Sequence, residues 1–538
     1  MKNFFEYRWK IFASLFFLIL LVYANSLNGA FLSDDIAGIS ENPYLGTIKY
    51  VALDKMTILR QTIFAVTFAL FGKTPALFHI INIFFHFGVC SFIYLILEKL
   101  TSRRAGIFAS LLFAVHPLLT ESVSWISGGV YVQYSFFVLL AFYLFLLFEK
   151  SKNKWFFLSS IISFVAALFS SEKAIVFPVI LLSYLLYQKT LKKYYLKLIP
   201  FFGISFTWGI ILLGKIGNRL NVIQESNFRD SPALNPLKHG PISIFNYLKL
   251  FIFPKDLSFY HTEMNFTSGQ YALFAFVTIV FFASIAYFFF KRKEIFFWLS
   301  FFILSISPTM LPISFAWVVA ERYVYLGIVS LSALTGIIFA QLDARNKIKW
   351  ASRGVFATII IIFAVRTVVR NIDWHNMDNL WIATAKTAPS SFVNHNNLGD
   401  MYARHGNYEM AITEFQKAVE LNPVYASAYH NIGNVYVQMS KTEEAIESYQ
   451  KAIEIAPGLW QSNQNLAVLF YQEGKYQEAV DCLVKAISAN PQNSLLFSNL
   501  GITYQQLGNK EEAAKAYEEA LRLNPSNTQA QQGLQTLR

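Results

Sequence analysis

Two adjacent carboxylates, Asp34 and Asp35, follow the first long apolar run of the chain. Neighbouring carboxylates repel each other, which raises the proton affinity of one of them and suits it to act as a general base. The preceding run is long enough to cross a bilayer, so the pair would lie at a membrane surface. The alternative is a solvated loop in which an aspartate caps a helix. Spacing alone leaves both interpretations open.

Other ionisable side chains lie between or beside the apolar runs, where charge is costly and tends to be kept for a function. The cations among them could hold an anionic leaving group. A local salt bridge between Glu321 and Arg322, or snorkelling of Lys173 to the interface, is the structural alternative. No spacing predicts a zinc site, a phosphate-binding glycine loop or a nucleophile elbow. The candidates are Arg60, His116, Glu121, Glu172, Lys173, Glu321 and Arg322.

We predict that membrane helices hold these candidate residues in place. Of the 538 residues, 55% are hydrophobic and 14% are charged, whereas a soluble protein averages about 25% charged residues. A spanning helix needs about 20 mostly apolar residues. We predict about eleven spans within residues 1–371 and two interfacial or re-entrant helices at 58–71 and 241–254. The predicted spans are 11–27, 76–97, 105–120, 130–148, 155–171, 174–188, 198–214, 271–290, 295–313, 323–341 and 354–371.

Lysine and arginine collect in every second loop, for example after the spans that end near residues 97, 148 and 188. Cytoplasmic loops carry such an excess, so the N-terminus is predicted to be cytoplasmic. An odd number of spans then places the C-terminal region on the periplasmic, extracytoplasmic or lumenal side. The net charge of +12 is concentrated in these loops. We therefore predict membrane lipid, and no nucleic acid, as a partner.

The C-terminal region has a period of 34 residues, marked by Pro389, Pro423, Pro457, Pro491 and Pro525. This period is typical of tetratricopeptide repeats. Small residues recur in register with the prolines and would let the two helices of each repeat approach closely. The sequence predicts a connecting helix at 372–391, four repeats over 392–527 and a capping helix at 528–538.

An asparagine stands at the sixth position of each repeat, on the helix that lines the inner face of such a superhelix. The amide offers both a donor and an acceptor, so a row of them could bind the backbone of an extended acceptor peptide. The alternative is that each asparagine bonds to the neighbouring helix. The four residues are Asn397, Asn431, Asn465 and Asn499.

Several motifs occur in one order along the chain, including Ser33-Asp34-Asp35, His116-Pro117-Leu118-Leu119-Thr120-Glu121 and Glu321-Arg322-Tyr323. With the repeats, this set resembles the transmembrane and tetratricopeptide-repeat O-mannosyltransferases and their bacterial relatives. The resemblance implies an all-α chain, with a polytopic membrane domain of GT-C type followed by a tetratricopeptide-repeat superhelix. It also implies a polyprenyl-phosphate-linked sugar as donor, with mannose as the default, and a protein hydroxyl as acceptor.

A lipid phosphate is a good leaving group, so the enzyme needs a base for the acceptor and cations for the phosphate. We predict that Asp35, helped by Asp34, is the base of an inverting single displacement. Arg322 and Lys173 are predicted to bind the phosphate, with Arg60 and His116 as second choices. The chemistry requires no cofactor, although Asp34 and Asp35 would suit a divalent metal. Glu121, Glu172 and Glu321 complete the predicted site.

Four other functions fit parts of the pattern. A lipid-linked oligosaccharide ligase or a pilin-type glycosyltransferase would share the fold and differ in donor. A non-enzymatic scaffold would use the repeats alone, yet it needs far fewer spans. A transporter would carry its charges near the midplane of the spans, whereas the candidates here lie at the ends of spans.

Overall fold

The computed structural model describes residues 2–52, 56–225, 236–259, 261, 266–310 and 318–537. Within these ranges all regular secondary structure is helical. The chain divides into two compact units, Met1–Ala388 and Pro389–Arg538. The predicted all-α class is confirmed.

The first unit consists of sixteen α-helices in the described residues. Short 3-10 helices interrupt them at Ala24–Asn28, Pro117–Leu119, Glu172–Val176, Ser307–Thr309 and Glu321–Val324, and a π-helical turn lies at Ile36–Ser40. The α-helices are α1 (Lys2–Tyr23), α2 (Ile48–Ala52), α3 (Ile58–Phe71), α4 (Pro75–Leu100), α5 (Arg103–Ala114), α6 (Thr120–Ser124), α7 (Gly129–Ser151), α8 (Lys154–Ser170), α9 (Phe177–Tyr187), α10 (Leu191–Glu225), α11 (Pro236–Ile252), α12 (Ser268–Lys291), α13 (Lys293–Ile306), α14 (Tyr325–Asp343), α15 (Lys349–Ile372) and α16 (Met377–Thr387).

Each predicted span overlaps a helix, and residues 311–313 of the predicted span 295–313 lie outside the described residues. In the part of the chain that the structure describes, seven helical segments are long and apolar enough to cross a membrane, and they overlap α1, α4, α7, α10, α12, α14 and α15. The segments Arg103–Ala114 and Pro117–Ser124 form an eighth candidate, bent by 58°. The other three predicted spans fall on the shorter helices α8, α9 and α13. The protein is therefore a multi-pass membrane protein, and eleven crossings stay a prediction.

Small residues allow close packing between the central helices. A Cβ atom added at Gly336 in α14 would lie 2.6 Å from the carbonyl oxygen of Ala105 in α5. Glycine at this point lets the two backbones approach, as is common between membrane helices. Large apolar side chains such as Phe206 and Phe290 are 71% and 80% exposed on outer helices. This distribution fits helices whose outer faces contact lipid.

Buried amides tie together the helix ends that carry the candidate residues. The Nδ2 atom of Asn371, near the end of α15, donates to the carbonyl of Val22 in α1 at 2.8 Å. The same nitrogen donates to Asn25 Oδ1 at 2.8 Å, and Ser124 Oγ in α6 donates to Asn371 Oδ1 at 2.8 Å. Three distant parts of the chain therefore meet at one end of the unit.

The second unit contains nine helices, which form four antiparallel pairs and one closing helix in the described residues. The predicted tetratricopeptide-repeat region is confirmed. The helices are α17 (Phe392–Arg404), α18 (Tyr408–Leu421), α19 (Ala426–Gln438), α20 (Thr442–Ile455), α21 (Trp460–Gln472), α22 (Tyr476–Ala489), α23 (Ser494–Gln506), α24 (Lys510–Leu523) and α25 (Thr528–Leu537).

Gly433→Ala is expected to loosen the second repeat, because a Cβ atom there would lie 2.6 Å from the ring of Tyr449. Such overpacking costs about 1–3 kcal/mol. We expect faster hydrogen–deuterium exchange in α19 and α20, measured by mass spectrometry on the full chain. Gly458→Ala is the matched control, since a Cβ atom there meets nothing within 4 Å. Equal exchange in the two variants would show that the contact is unimportant.

Candidate functional site

The predicted residues Glu121 and Arg322 form a buried ion pair. The Glu121 side chain lies in α6, just after the bend, and is fully buried. Its Oε2 atom accepts the backbone N–H of Arg322 at 2.8 Å, and its Oε1 atom accepts Nη1 of the same residue. The Arg322 side chain is 12% exposed. Its Nε and Nη2 atoms have no hydrogen-bond acceptor within the described ranges. The ion pair thus holds the guanidinium in one position and leaves the Nε and Nη2 donors for a ligand.

A second cation, Lys173, contacts the same aromatic ring as Arg322. The Lys173 ammonium lies 5.6 Å from the centroid of the Tyr323 ring and 5.0 Å from that of Tyr131. The Arg322 guanidinium lies 5.2 Å from the Tyr323 centroid. Lys173 also lies 3.8 Å from Oε1 of Glu172. The structure therefore brings together the two cations that the sequence selected for phosphate binding.

Trp125 joins this cation pair to the loop that carries the two aspartates. Its ring lies 5.6 Å from the Arg322 guanidinium, and that of Phe259 lies 5.9 Å away. The Trp125 Nε1–H donates to the Leu32 carbonyl at 3.2 Å. Trp125 also stacks on Trp374, with the two ring centroids 6.1 Å apart. The indole thus fixes the distance between Arg322 and the loop.

Asp35 is fully buried and both of its carboxylate oxygens already accept hydrogen bonds. Oδ2 accepts the backbone N–H of Leu32 at 3.0 Å, and Oδ1 accepts that of Ser127 at 2.8 Å. Burial raises the pKa of the Asp35 carboxyl to about 6, and hydrogen bonds from Ser127 and Leu32 limit that rise. In this geometry Asp35 anchors its loop to the turn before α7.

Two further candidates, Asp34 and Arg60, are neighbours of the Asp35–Ser127 contact. The Asp34 side chain is exposed, directly after Ser33, whose φ is +49°. Arg60 donates from Nη2 to Ser127 Oγ at 3.4 Å. Arg60 and Asp35 therefore meet at Ser127, while Asp34 is the member of the acidic pair that solvent can reach.

Arg370, at the end of α15, belongs to the cluster although the sequence did not single it out. Its Nη1 atom lies 2.7 Å from Asp373 Oδ2, and its Nη2 atom lies 3.4 Å from Glu321 Oε1. Glu321 Oε1 also accepts the backbone N–H of Ser258 at 2.5 Å, and His261 Nε2 lies 3.6 Å away. Arg370 could have been selected from the sequence, because it is an arginine at the end of a predicted span and lies close to the acidic residue Asp373.

The neighbours Glu321 and Arg322 do not pair with each other in this arrangement. Glu321 contacts Arg370, whereas Arg322 contacts Glu121. The local salt bridge that the sequence offered as an alternative is replaced by two long-range ion pairs.

His116 does not join the cation cluster. Its ring stacks on Phe251 at 5.0 Å, and its Nε2 atom lies 3.0 Å from the Phe251 carbonyl oxygen. Its Nδ1 atom accepts the backbone N–H of Leu118 at 3.3 Å. Because both ring nitrogens are engaged with the backbone, the structure places His116 as a packing residue at the bend.

The acidic pair does not form a ready metal site. Within the described residues, no three His, Cys, Asp or Glu side chains converge to hold an ion. Both oxygens of Asp35 face backbone N–H groups, which leaves Asp34 as a lone open carboxylate. A divalent metal usually takes more protein ligands than this, so the residues present do not fit a metal ion.

The asparagines of the repeats divide into two kinds. Asn431 Nδ2 donates to Asn396 Oδ1 at 3.0 Å, and Asn465 Nδ2 donates to Asn434 Oδ1 at 2.9 Å. Asn431 and Asn465 thus bond to the first helix of the preceding repeat, as the alternative interpretation expects. Asn397 and Asn499 are half-buried, and no such side-chain bond to a preceding repeat is found for them within the described residues.

Comparisons with known proteins agree with the two-unit architecture. Tetratricopeptide-repeat models match residues 390–458, 424–492 and 494–527. Human protein O-mannosyl-transferase TMTC3 is 24% identical over 480 residues, covering 76% of this chain and 51% of that protein. Mouse protein O-mannosyl-transferase TMTC4 is 24% identical over 486 residues, covering 74% and 65%. The chain is a distant relative of these proteins.

The resemblance to the transmembrane and tetratricopeptide-repeat O-mannosyltransferases is thereby confirmed at the family level. The chain spans about half the length of human TMTC3. Among solved structures, the crystal structure of MamA is similar to part of the chain, with 22% identity and a TM-score of 0.26, covering 30% of this chain and 94% of MamA.

Proposed function

We propose that this protein is a membrane glycosyltransferase that transfers a sugar, with mannose as the default, from a polyprenyl-phosphate donor to Ser or Thr hydroxyls of proteins. The observation that carries this proposal is the pair of cations, Arg322 and Lys173, on one tyrosine ring beside an acidic loop. The names of the distant relatives support the same activity. The membrane unit would have the GT-C fold.

Arg322 and Lys173 are assigned to the donor phosphate. The Glu121 carboxylate orients the guanidinium before the substrate arrives, and the aromatic walls exclude water around it. Such fixed donors stabilise charge that develops on the leaving phosphate without reorganising. Arg60, which contacts Ser127 beside Asp35, is a third cation that would reach the sugar phosphate from the loop side.

The acidic pair is assigned to the acceptor hydroxyl. The sequence favoured Asp35 as the base, but burial and two backbone hydrogen bonds suit Asp35 to positioning, and the exposed Asp34 to proton removal. The Asp34 carboxylate would take the hydroxyl proton while the oxygen attacks the sugar carbon and the phosphate departs with the bonding electrons. One displacement of this kind inverts the configuration at carbon.

The test is transfer in vitro by the purified full chain. Polyprenyl-phosphate mannose, polyprenyl-phosphate glucose and a lipid-linked oligosaccharide would be offered separately with a co-expressed outer-face protein, and the product read by intact mass. An increase of one hexose supports the proposal, and transfer of an oligosaccharide would favour the ligase instead. No mass increase with any donor, from correctly folded protein, would favour a scaffold.

The proposed orientation places the N-terminus in the cytoplasm and the repeats outside it. A reporter that is active only outside the cytoplasm should be active when fused after Arg538 and silent when inserted near Lys192. The physical reason is the alternation of basic loops, which are retained on the cytoplasmic side. The opposite pattern at either position would reverse the topology and expose the candidate site to the cytoplasm.

The repeats are proposed to bind the acceptor protein through Asn397, Asn431, Asn465 and Asn499. Replacing all four by alanine should lower transfer to a protein acceptor by about thirtyfold or more, since four amide hydrogen bonds at roughly 0.5–1.5 kcal/mol each contribute at least about 2 kcal/mol. Transfer to a short peptide should be spared. Because Asn431 and Asn465 also bond within the superhelix, Asn397→Ala/Asn499→Ala is the cleaner variant. Unchanged transfer in that variant, with the repeats folded, would make the asparagines structural.

A further inference from the structure

The ends of four helices in the membrane unit surround a cavity that takes no part in the proposed reaction. Its volume is about 660 Å³. It lies where α1 begins and where α4, α7 and α9 end, whereas the candidate site lies near the end of α1 and the starts of α4 and α7. The cavity is therefore at the opposite end of the same helices.

The carboxylates that line this cavity are already neutralised or hydrogen-bonded. Glu98 pairs with Arg8 at 2.5 Å and accepts the Tyr94 hydroxyl at 2.8 Å. Glu149 accepts the Tyr184 hydroxyl at 2.5 Å. These contacts join α1 to α4 and α7 to α9, so they hold the walls of the cavity in place.

Two lysines at the mouth carry the excess charge. Lys99 and Lys150 stand in the last turns of α4 and α7 and are both exposed. Neither has a carboxylate within ion-pair distance in the described part of the chain. Beside them, Leu100 and Leu146 supply apolar wall. A cationic mouth over an apolar wall, at the depth where spans end, matches the headgroup region of a bilayer.

We propose that this cavity binds the phosphate headgroup of an anionic membrane lipid, with Lys99 and Lys150 on the phosphate and the leucines against the first part of the acyl chains. The volume accommodates a glycerophosphate group and exceeds what a single ion requires. The surrounding basic loops raise the local concentration of anions. This lipid site is independent of the donor site and of the sugar that is transferred.

Native mass spectrometry of the full chain in detergent tests the proposal. Phosphatidylglycerol is titrated onto the wild type, Lys99→Ala/Lys150→Ala, and Lys192→Ala/Lys193→Ala, which removes equal charge from a basic segment outside the cavity. Each lysine is expected to raise the affinity for an anionic lipid about fivefold. Lys99→Ala/Lys150→Ala should therefore lose roughly tenfold or more in affinity. The second should stay within about twofold of the wild type.

Equal losses in the two variants would overturn the proposal, because binding would then reflect general charge. Unchanged binding in Lys99→Ala/Lys150→Ala would overturn it as well. Inorganic phosphate at the same concentration distinguishes the source of the phosphate group. Displacement of the lipid by inorganic phosphate would assign the cavity to a soluble phosphate compound, and retention of the lipid supports the membrane assignment.

Discussion

Asp34→Asn is expected to slow sugar transfer by about a hundredfold to ten-thousandfold, because the amide keeps the shape of the side chain and cannot accept the proton. Asp34 is exposed, so the substitution disturbs no buried contact. Single-turnover transfer with saturating donor measures the chemical step. Circular dichroism and membrane insertion should match the wild type.

Asp35→Asn is the informative comparison, since the amide nitrogen would face the backbone N–H of Leu32 or Ser127. An unsatisfied buried donor costs about 1–3 kcal/mol, so this variant should lose thermal stability as well as transfer. The wild-type rate should fall as pH drops below about 6, where the carboxyl of Asp35, with its raised pKa of about 6, becomes protonated. The residual rate of Asp35→Asn should lack this inflection.

The opposite result would support Asp35 as the base, as predicted from the sequence. If Asp34→Asn transfers within a few-fold of the wild type while Asp35→Asn is stable and inactive, Asp35 is the base. Its backbone hydrogen bonds would then have to open when the acceptor binds.

Arg322→Ala is expected to raise the donor KM by about tenfold to a hundredfold, which corresponds to the loss of one hydrogen bond to a charged group. It should also destabilise the protein, because Glu121 is fully buried and would lose its ion partner. Breaking such a buried pair costs about 3–5 kcal/mol. Donor-dependent initial rates and thermal unfolding measure the two effects separately.

A double variant separates binding from stability. Glu121→Gln/Arg322→Gln removes both charges, so much of the lost stability should return while the donor KM stays high. Lys173→Met provides the matched test of the second cation that contacts Tyr323. A normal donor KM in the double variant would mean that the Glu121–Arg322 pair serves only the fold.

The repeats and the membrane helices could be predicted because their signals are local. The 34-residue period places Gly433 and Gly501 against Tyr449 and Tyr517, and the structure shows those close approaches. Apolar runs likewise coincide with helices. Segments such as 174–188 were harder to bound, because α9 covers only Phe177–Tyr187 and a 3-10 helix precedes it.

The partners of the charged residues could not be predicted, because they are far apart in the sequence. Arg322 and Glu121 are separated by 201 positions, and Arg370 reaches Glu321 across 49. One of the hydrogen bonds to the buried Asp35 carboxylate comes from the backbone N–H of Ser127, which lies 92 residues away in the sequence. No local sequence pattern indicates which of the two adjacent aspartates, Asp34 or Asp35, is buried.

The amino-acid sequence alone predicts a multi-pass helical membrane unit, a tetratricopeptide-repeat unit and the group of ionisable residues beside the ends of the spans. Hydropathy and repeat period depend on neighbours within a few tens of residues, so they can be recognised without a fold. Three further features are visible only in the folded protein: Arg322 and Lys173 share Tyr323, Glu321 binds Arg370, and Asp35 is buried while Asp34 is exposed. These choices follow from the way distant helix ends pack together, since every buried charge must find its partner there.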